Sequence, residues 1–147
     1  MTSSPAQACV FCGIIAGEVP ASRVYEDEHV IAFMDVRPLT TGHLLVVPRA
    51  HAASLEDLDE DPGTRVFAVA HRLARALRGS AVPAEGVNFF LADGVAAGQE
   101  VFHVHLHVIP RTPGDGFRLK ARPRRPGRDE LDATAERVRA GMSRLPG

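Results

Sequence analysis

The chain has 147 residues, a length typical of one domain with a buried core. Its 17 lysine and arginine residues nearly balance 18 aspartate and glutamate residues, so no net field favours nucleic acid or a membrane surface. No apolar run approaches the roughly 20 residues of a membrane span, and residues 1–8 lack the features of a signal peptide. We therefore expect a cytoplasmic protein that binds neither nucleic acid nor membranes.

Two cysteines lie near the N-terminus, at the start of a short apolar segment. Residues 1–8 are small and polar, which predicts a disordered N-terminus. Residues 9–16 have a helical pattern that Gly17 and Pro20 end. The Cys9-x-x-Cys12 pair is typical of a redox couple, of two buried thiols or of half a tetrahedral zinc site. The pair alone does not decide among these three interpretations.

Four segments before the histidine-rich region have the composition of β-strands. Residues 23–26 and 29–35 are joined by an acidic turn, and residues 30–34 are continuously apolar, which is typical of a strand covered on both faces. Residues 43–48 and 87–92 are two further strands. Asp35 ends the second strand before Arg37 and Pro38, as a turn residue does. His43 is the only histidine of its strand, so we interpret it as structural.

Two longer helices are predicted in the second half of the chain. Pro62 is placed at the first position of a helix that Asp61 caps and Gly79 ends. Its apolar stripe consists of Val66, Val69, Ala70, Leu73 and Leu77. Residues 129–145 form the closing helix, after a basic run at residues 118–128 that contains two prolines. This run is interpreted as a solvated irregular segment, with the binding of anionic phosphate groups as the alternative.

Three histidines alternate with apolar residues just before Pro110. In an extended strand His103, His105 and His107 share one face, while the intervening valine and leucine residues share the other. Clustered titratable groups of this kind mark functional sites. Two chemistries remain open for them. One is a metal site with imidazole ligands, and the other is a nucleophilic histidine whose neighbours bind phosphate and handle the leaving-group proton.

Several motifs together resemble the histidine triad (HIT) family of nucleotide hydrolases and transferases. The segment His-Val-His-Leu-His-Val-Ile-Pro-Arg is similar to the family's His-x-His-x-His-x-x pattern, in which x is hydrophobic. Residues 9–20, 33–38, 42–51 and 114–117 are also family-like. The resemblance implies an α+β fold in which an antiparallel sheet of about five strands carries helices on one side and pairs into a homodimer. Residues 9–147 would form a single HIT domain, with a core at 9–117 and a basic segment and C-terminal helix at 118–147.

The resemblance also implies a two-step mechanism with a covalent intermediate. His105 attacks the α-phosphorus of a purine nucleoside phosphoramidate or dinucleoside polyphosphate, and water or another acceptor then releases a nucleoside monophosphate. His107 and Gln99 contact phosphate oxygens, and His107 also helps to protonate the leaving group. His103 is the third catalytic residue. Further substrate-binding residues carried over from the family are Phe11, Ile14, Phe33, Asp35, Gly98 and Val101, with Asp35 accepting the ribose hydroxyls.

The family assigns a metal to the cysteine pair. In relatives that keep both cysteines, these residues hold zinc together with the histidine that ends a Pro-x-x-His motif and the first triad histidine. Carried over to this chain, the ligands are Cys9, Cys12, His51 and His103. Four protein ligands leave no open position for water, so the expected zinc is structural and the chemistry requires no catalytic metal.

Two positions depart from the family pattern. Many relatives have asparagine eleven residues before the first triad histidine, where this chain has Ala92, and serine or threonine where it has Glu100. Both changes remove neutral polar groups near the substrate, and Glu100 adds a negative charge. Two alternative functions therefore stay open. One is a metal-dependent phosphohydrolase whose triad histidines hold a catalytic ion, and the other is a nucleotide-binding regulatory module that has lost turnover.

Overall fold

A five-stranded antiparallel sheet organises the protein, for which a computed structural model describes residues 9–147. The strands are β1 (Arg23–Glu26), β2 (Val30–Met34), β3 (Leu44–Pro48), β4 (Gly86–Phe90) and β5 (Leu106–Arg111). The helices are α1 (Val10–Ile15), α2 (Glu60–Arg78) and α3 (Arg128–Met142). The strand order is β1-β2-β3-β5-β4, which confirms the predicted antiparallel α+β fold. The predicted disorder of residues 1–8 lies outside the described residues.

The sheet is covered on both faces, because the side chains of its apolar strands alternate between two cores. One core joins β2, β3 and β5 to α2 and includes Val30, Ala32, Leu44, Val46, Val66, Val69, Ala70, Leu77, Leu106 and Val108. The other joins β2 and β3 to α1 and consists of Phe11, Ile14, Ile31, Phe33, Leu45 and Val47. The expectation of helices on one side is therefore wrong. The short helix α1 packs on the face opposite α2, because Phe11 and Ile14 are both buried there.

Strand pairing determines where the third triad histidine lies. In the β3–β5 pair Leu45 is opposite His107, and in the β4–β5 pair Phe90 is opposite the same residue. His107 is thus flanked by a strand on each side and lies on the face that α1 covers. His43 precedes β3 and is two residues from Leu45, so the alternation of side chains directs it towards this same face.

Several predicted boundaries shift in the structure. Helix α2 begins at Glu60 with Asp59 at the N-cap, so Pro62 lies in the first turn rather than at its first position. A proline fits there because the N–H groups of the first turn have no partner within the helix. The fourth strand ends at Phe90 instead of residue 92. No helix within residues 9–147 is both long enough and apolar enough to cross a membrane.

Residues from Arg118 onwards form a separate compact unit, which ends at Gly147. It contains α3, whose start and end lie one and three residues earlier than the predicted bounds of 129 and 145. An ion pair of 2.8 Å between Arg124 and Glu130 links the basic run to the first turn of α3. All the remaining helices and strands belong to the first unit, which ends at Phe117.

Candidate active site and metal centre

The three triad histidines do not share one continuous strand. β5 begins at Leu106, so His103 and His105 precede it. The backbone N–H of Val104 donates instead to the carbonyl oxygen of Ala52 at 2.8 Å. The carbonyl oxygen of His103 accepts a hydrogen bond of 2.7 Å from the imidazole of His105. These bonds engage the main-chain groups that a longer ladder would need, so the prediction that one strand carries all three histidines is wrong.

His105 is held in a single tautomer by that main-chain carbonyl. A carbonyl oxygen can only accept, so Nδ1 of His105 carries the proton and donates it to His103. In a neutral imidazole Nε2 is then the nitrogen with the lone pair. His105 is buried, with 7% of the residue exposed, and its ring packs edge-on against Phe11 with 5.1 Å between the ring centroids. The geometry thus provides an oriented imidazole, and its orienting group is part of the backbone.

His107 is held in the opposite tautomer by a chain of hydrogen bonds through His43. The backbone N–H of Leu39 donates to Nδ1 of His43 at 3.0 Å, so Nε2 of a neutral His43 carries the proton. That proton is donated to Nδ1 of His107 at 2.9 Å, which leaves the N–H of His107 on Nε2. Burial, followed by the charges of His105 and His43, lowers the pKa of His107 to about 4. His107 is therefore a neutral hydrogen-bond donor near pH 7.

His43 has a larger part in the site than the structural role predicted from the sequence. It was interpreted as a structural residue, yet it is 2% exposed and contacts both His107 and the carboxylate of Asp35, whose Oδ2 lies 3.5 Å from Nε2. The other oxygen of Asp35 accepts the backbone N–H of Arg37 at 2.8 Å. The contact between His43 and His107 follows from the pairing of β3 with β5. Leu45 is opposite His107, so His43, two residues earlier, lies diagonally across from it.

A cavity of about 430 Å³ lies beside His105 and His107. The predicted site residues that line it are Phe11, Ile14, Phe33, Asp35, Gly98, Val101, His105 and His107. Phe11 and Phe33 pack edge-on with 5.5 Å between ring centroids and form an apolar wall. His103 and Gln99 do not belong to the lining. The structure therefore brings together the predicted substrate-binding residues except Gln99, and the predicted catalytic histidines except His103.

Gln99 supports the loop before β5 instead of facing the cavity. Its side chain is buried, and Oε1 accepts the backbone N–H of Gly94 at 2.8 Å. Nε2 donates to the carbonyl oxygens of Ala53 and Val101 at 2.7 and 3.0 Å. Both amide hydrogens are thus donated to main-chain carbonyls, one in this loop and one in the segment after β3, which corrects the expectation that Gln99 contacts a phosphate oxygen. The N–H of Gly98 is also engaged, since it donates to the carbonyl oxygen of Val95 at 2.9 Å.

His103 joins a second cluster, which has the composition of a tetrahedral metal site. Its Nδ1 lies 3.5 Å from Sγ of Cys9, 3.6 Å from Sγ of Cys12 and 3.2 Å from Nδ1 of His51. Sγ of Cys12 lies 3.3 Å from Nδ1 of His51, and all four ligand atoms lie within 4.8 Å of one another. A tetrahedral zinc site with ordinary bond lengths has N···N and S···N separations of about 3.3 and 3.6 Å. The cluster is therefore compatible with zinc.

The protonation of the cluster also fits a cation. Nε2 of His103 donates to the carbonyl oxygen of Pro48 at 2.8 Å, so Nδ1 directs its lone pair at the two sulfur atoms. Burial, followed by the hydrogen bond and charge of Cys9, raises the pKa of the Cys12 thiol to about 11. A thiolate at this position thus needs a positive charge beside it. Asp35, His43 and His107 form a second compact group, but there the proton of His43 lies on the nitrogen that a metal would need.

Comparison with known proteins identifies the family. A model of the HIT domain matches residues 16–114. This chain belongs to the HIT family. A HIT-like protein of Borreliella burgdorferi is 47% identical to it over 114 residues, which are 76% of this chain and 81% of that protein. The adenosine 5'-monophosphoramidase of Saccharomyces cerevisiae is 38% identical over 104 residues, or 71% of this chain and 63% of the yeast protein.

A solved HIT structure has the same fold and contains zinc. The zinc-bound histidine triad family protein of Mycobacterium smegmatis is 41% identical to this chain. It superposes with a TM-score of 0.74 over 92% of this chain and 99% of that one. The HIT fold inferred from the triad motif is thereby confirmed, and the family supports a nucleotide hydrolase in general terms.

The two departures from the HIT pattern both lie at the cavity. Ala92 is buried and lines it, whereas the neighbouring Asp93 uses Oδ1 to accept the backbone N–H of Leu55 at 3.0 Å. Glu100 also lines the cavity, and its carboxylate lies 3.9 Å from the guanidinium of Arg37. In this HIT protein a charged pair therefore occupies the rim at the position where many relatives have a hydroxyl group.

Proposed function

We propose that this protein cleaves the bond between the α-phosphorus and the leaving group of a purine nucleoside phosphoramidate or dinucleoside polyphosphate. The reaction proceeds through a nucleotidyl group on His105 and releases a nucleoside monophosphate. The observation that carries the proposal is the hydrogen bond from Nδ1 of His105 to the His103 carbonyl, since it leaves the lone pair on Nε2 beside the cavity. The similarity to a yeast adenosine 5'-monophosphoramidase supports the phosphoramidate class.

The proposed chemistry consists of two displacements at phosphorus. In the first, the bond from Nε2 of His105 to phosphorus forms as the bond to the leaving group breaks. The leaving amine or phosphate departs with the electron pair and a proton from solvent. In the second, water attacks phosphorus, the electron pair returns to Nε2, and the proton of the water is released to solvent. The His103 carbonyl stabilises the positive charge of the intermediate, because it accepts the Nδ1 proton throughout.

His107 acts in this mechanism as a donor to a non-bridging phosphate oxygen. The hydrogen-bond chain from Leu39 through His43 leaves its proton on Nε2, and its pKa of about 4 keeps it neutral. A neutral imidazole is a good hydrogen-bond donor but a weak acid, so of the two roles expected for His107 this one is favoured. Phe11, Ile14 and Phe33 would hold the base, and Asp35 the ribose.

Zinc would bind to Cys9, Cys12, His51 and His103 as a structural ion. The spacing of the four ligand atoms and the lone pair on Nδ1 of His103 support this assignment. Four protein ligands leave no position for a reacting water, which favours covalent histidine catalysis over a metal-dependent phosphohydrolase. We expect one zinc per chain in elemental analysis of protein purified from zinc-supplemented cells. Protein that is purified in this way and contains no zinc would contradict the assignment.

A homodimer completes the proposal. β4 lies at the edge of the sheet, where its outer N–H and C=O groups are available to another strand. Two phenylalanines near this edge are exposed, Phe67 of α2 at 57% and Phe89 of β4 at 37%, and their ring centroids are 5.8 Å apart. A second copy of the chain would cover both rings and extend the sheet.

Intact-protein mass spectrometry after rapid acid-free quenching tests the mechanism. With an adenosine phosphoramidate, and then with a dinucleoside polyphosphate, we expect the mass of a nucleotidyl adduct on the wild type. His105→Asn should show no adduct, whereas His71→Asn, which changes an exposed histidine of α2, should behave as the wild type. Turnover without an adduct that stops when chelator is added would contradict covalent catalysis and favour a catalytic metal.

A further inference from the structure

The cavity is lined by only three charged side chains among the residues that the structure describes. They are Asp35, Arg37 and Glu100. Arg37 follows β2 and Glu100 precedes β5, so the pair of opposite charges spans two separate loops at the rim. Both side chains are more than 80% exposed, and 3.9 Å separates the guanidinium from the carboxylate. The charged groups of Arg37 and Glu100 can therefore contact a part of the substrate that extends out of the cavity.

The charge of this lining does not suit an anionic leaving group. The cation of Arg37 is offset by Glu100, and the remaining charged residue is the carboxylate of Asp35. His107 adds no positive charge near pH 7, since burial lowers its pKa to about 4. A polyphosphate leaving group, with several negative charges, would thus meet a net negative lining. A cationic leaving group would instead suit this lining, in which two carboxylates and one guanidinium give a net negative charge.

Glu100 lies on the path by which a leaving group would extend. It lines the cavity together with His105, and it also lines an adjoining groove that includes His51 and Phe102. Asp35, in contrast, lines the cavity but not the groove. One of its oxygens accepts the N–H of Arg37, and the other lies near Nε2 of His43. Of the two carboxylates, Glu100 is therefore the one that lines both the cavity and the groove.

We propose that Glu100 is a specificity-determining residue, which selects nucleoside phosphoramidates whose leaving amine carries a second, positively charged amino group. The inference rests on the proposed function and narrows its substrate class. The groove beside Glu100 would accept the rest of such a diamine. Because the carboxylate is exposed, the selection is moderate and weakens as the salt concentration rises.

Three adenosine 5'-phosphoramidates of similar size test the inference. Their amines are ethylenediamine, propylamine and glycine, so the pendant group is positive, neutral or negative. Values of kcat/KM are measured for the wild type, for Glu100→Gln and for Glu56→Gln, which removes an exposed carboxylate that does not line the cavity. Each rate is divided by that of the propylamine compound, and the ratios are then compared between variants. This comparison cancels the intrinsic reactivity of each leaving group.

We expect Glu100→Gln to lower the relative rate of the ethylenediamine compound about fivefold and to raise that of the glycine compound, since unit charges a few ångströms apart in water interact weakly. Glu56→Gln should leave both ratios unchanged. Equal ratios in the wild type and Glu100→Gln, with all three compounds turned over, would overturn the inference about Glu100 but not the proposed phosphoramidase activity. No turnover of any of the three compounds by the wild type would contradict the phosphoramidase activity, and with it this inference.

Discussion

Each imidazole that lines the cavity is held in one tautomer by a main-chain group. The carbonyl of His103 fixes the proton of His105 on Nδ1, and the N–H of Leu39, acting through His43, fixes that of His107 on Nε2. Two rings of the same chemical type are thereby given opposite tasks, one as a lone-pair donor and one as a proton donor.

Substitution of His43 tests this division. In His43→Ala the Nδ1 of His107 loses its donor, so the proton of His107 is no longer confined to Nε2. We expect kcat to fall roughly 10- to 100-fold, the usual cost of losing a partner that orients a functional imidazole. The nitrogen NMR shifts of His107 should report the mixed tautomer, and His71→Ala provides a matched control on the surface of α2. Unchanged shifts together with a lower rate would contradict the positioning role.

The sequence predicts which side chains lie together at the cavity and in the cysteine–histidine cluster, but not how they are oriented. The alternating histidines and the cysteine pair predicted which side chains cluster, since those residue types are rare in such patterns. The orienting groups of His105 and His43 are a carbonyl and an amide, which every residue carries and no motif can indicate. Gln99 was misassigned because a sequence pattern does not say whether an amide faces a ligand or its own loop.

At the level of elements, the turn before β3 places His43 close to β5. Gly42 precedes it with a φ of +94°, and a Cβ there would meet Cγ1 of Val82 at 2.6 Å and Cγ of Pro110 at 3.1 Å. Both the backbone conformation and the close approach of neighbouring side chains therefore require glycine. Strand positions in the sheet were predictable from apolar patterns, whereas this close contact depends on which strands become neighbours.

Two glycine substitutions separate the effect of the backbone conformation from that of the close side-chain contacts. Gly17 also has a positive φ, of +79°, but a Cβ there meets nothing within 4 Å. We expect Gly17→Ala to lower the free energy of unfolding by about 1 kcal/mol, from backbone strain alone. Gly42→Ala should lower it by about 3 kcal/mol, because overpacking is added. Urea denaturation of both variants measures the difference, and equal losses would contradict a role for the contacts with Val82 and Pro110.

For the whole molecule, the proposed zinc would connect three distant parts of the chain. Its ligands come from the start of α1, from the segment after β3 and from the segment before β5. Such an ion acts on stability through mass action, because it binds the folded chain and not the unfolded one.

Chelation should therefore lower the melting temperature of the protein. With free zinc at about a thousand times its Kd, binding contributes about 4 kcal/mol, which corresponds to roughly 10 °C for a chain of this length. Differential scanning calorimetry with and without chelator measures the shift, and added zinc should reverse it. Cys12→Ser should melt at the lower temperature under both conditions. A wild type that is indifferent to chelator would argue against a structural ion.

Assembly can be tested at the exposed phenylalanines near β4. The wild type should sediment with twice the chain mass of 15.8 kDa. Phe67→Glu should sediment as a monomer, because a charge would be buried at the contact between the two copies. Leu119→Glu, which changes a residue that is 69% exposed in the second unit, is the matched control and should remain dimeric. A monomeric wild type would contradict the dimer.

The amide of Leu39 places an unusual limit on the variation of this site. The side chain at this position is about half exposed, and the contribution to His43 comes from the peptide N–H alone. The substitutions that position 39 tolerates are therefore those that keep a peptide N–H, which every amino acid except proline has. Position 39 can therefore vary widely in size, polarity and charge, yet proline is excluded. The proposed catalysis thus constrains the main chain at this position and not the side chain.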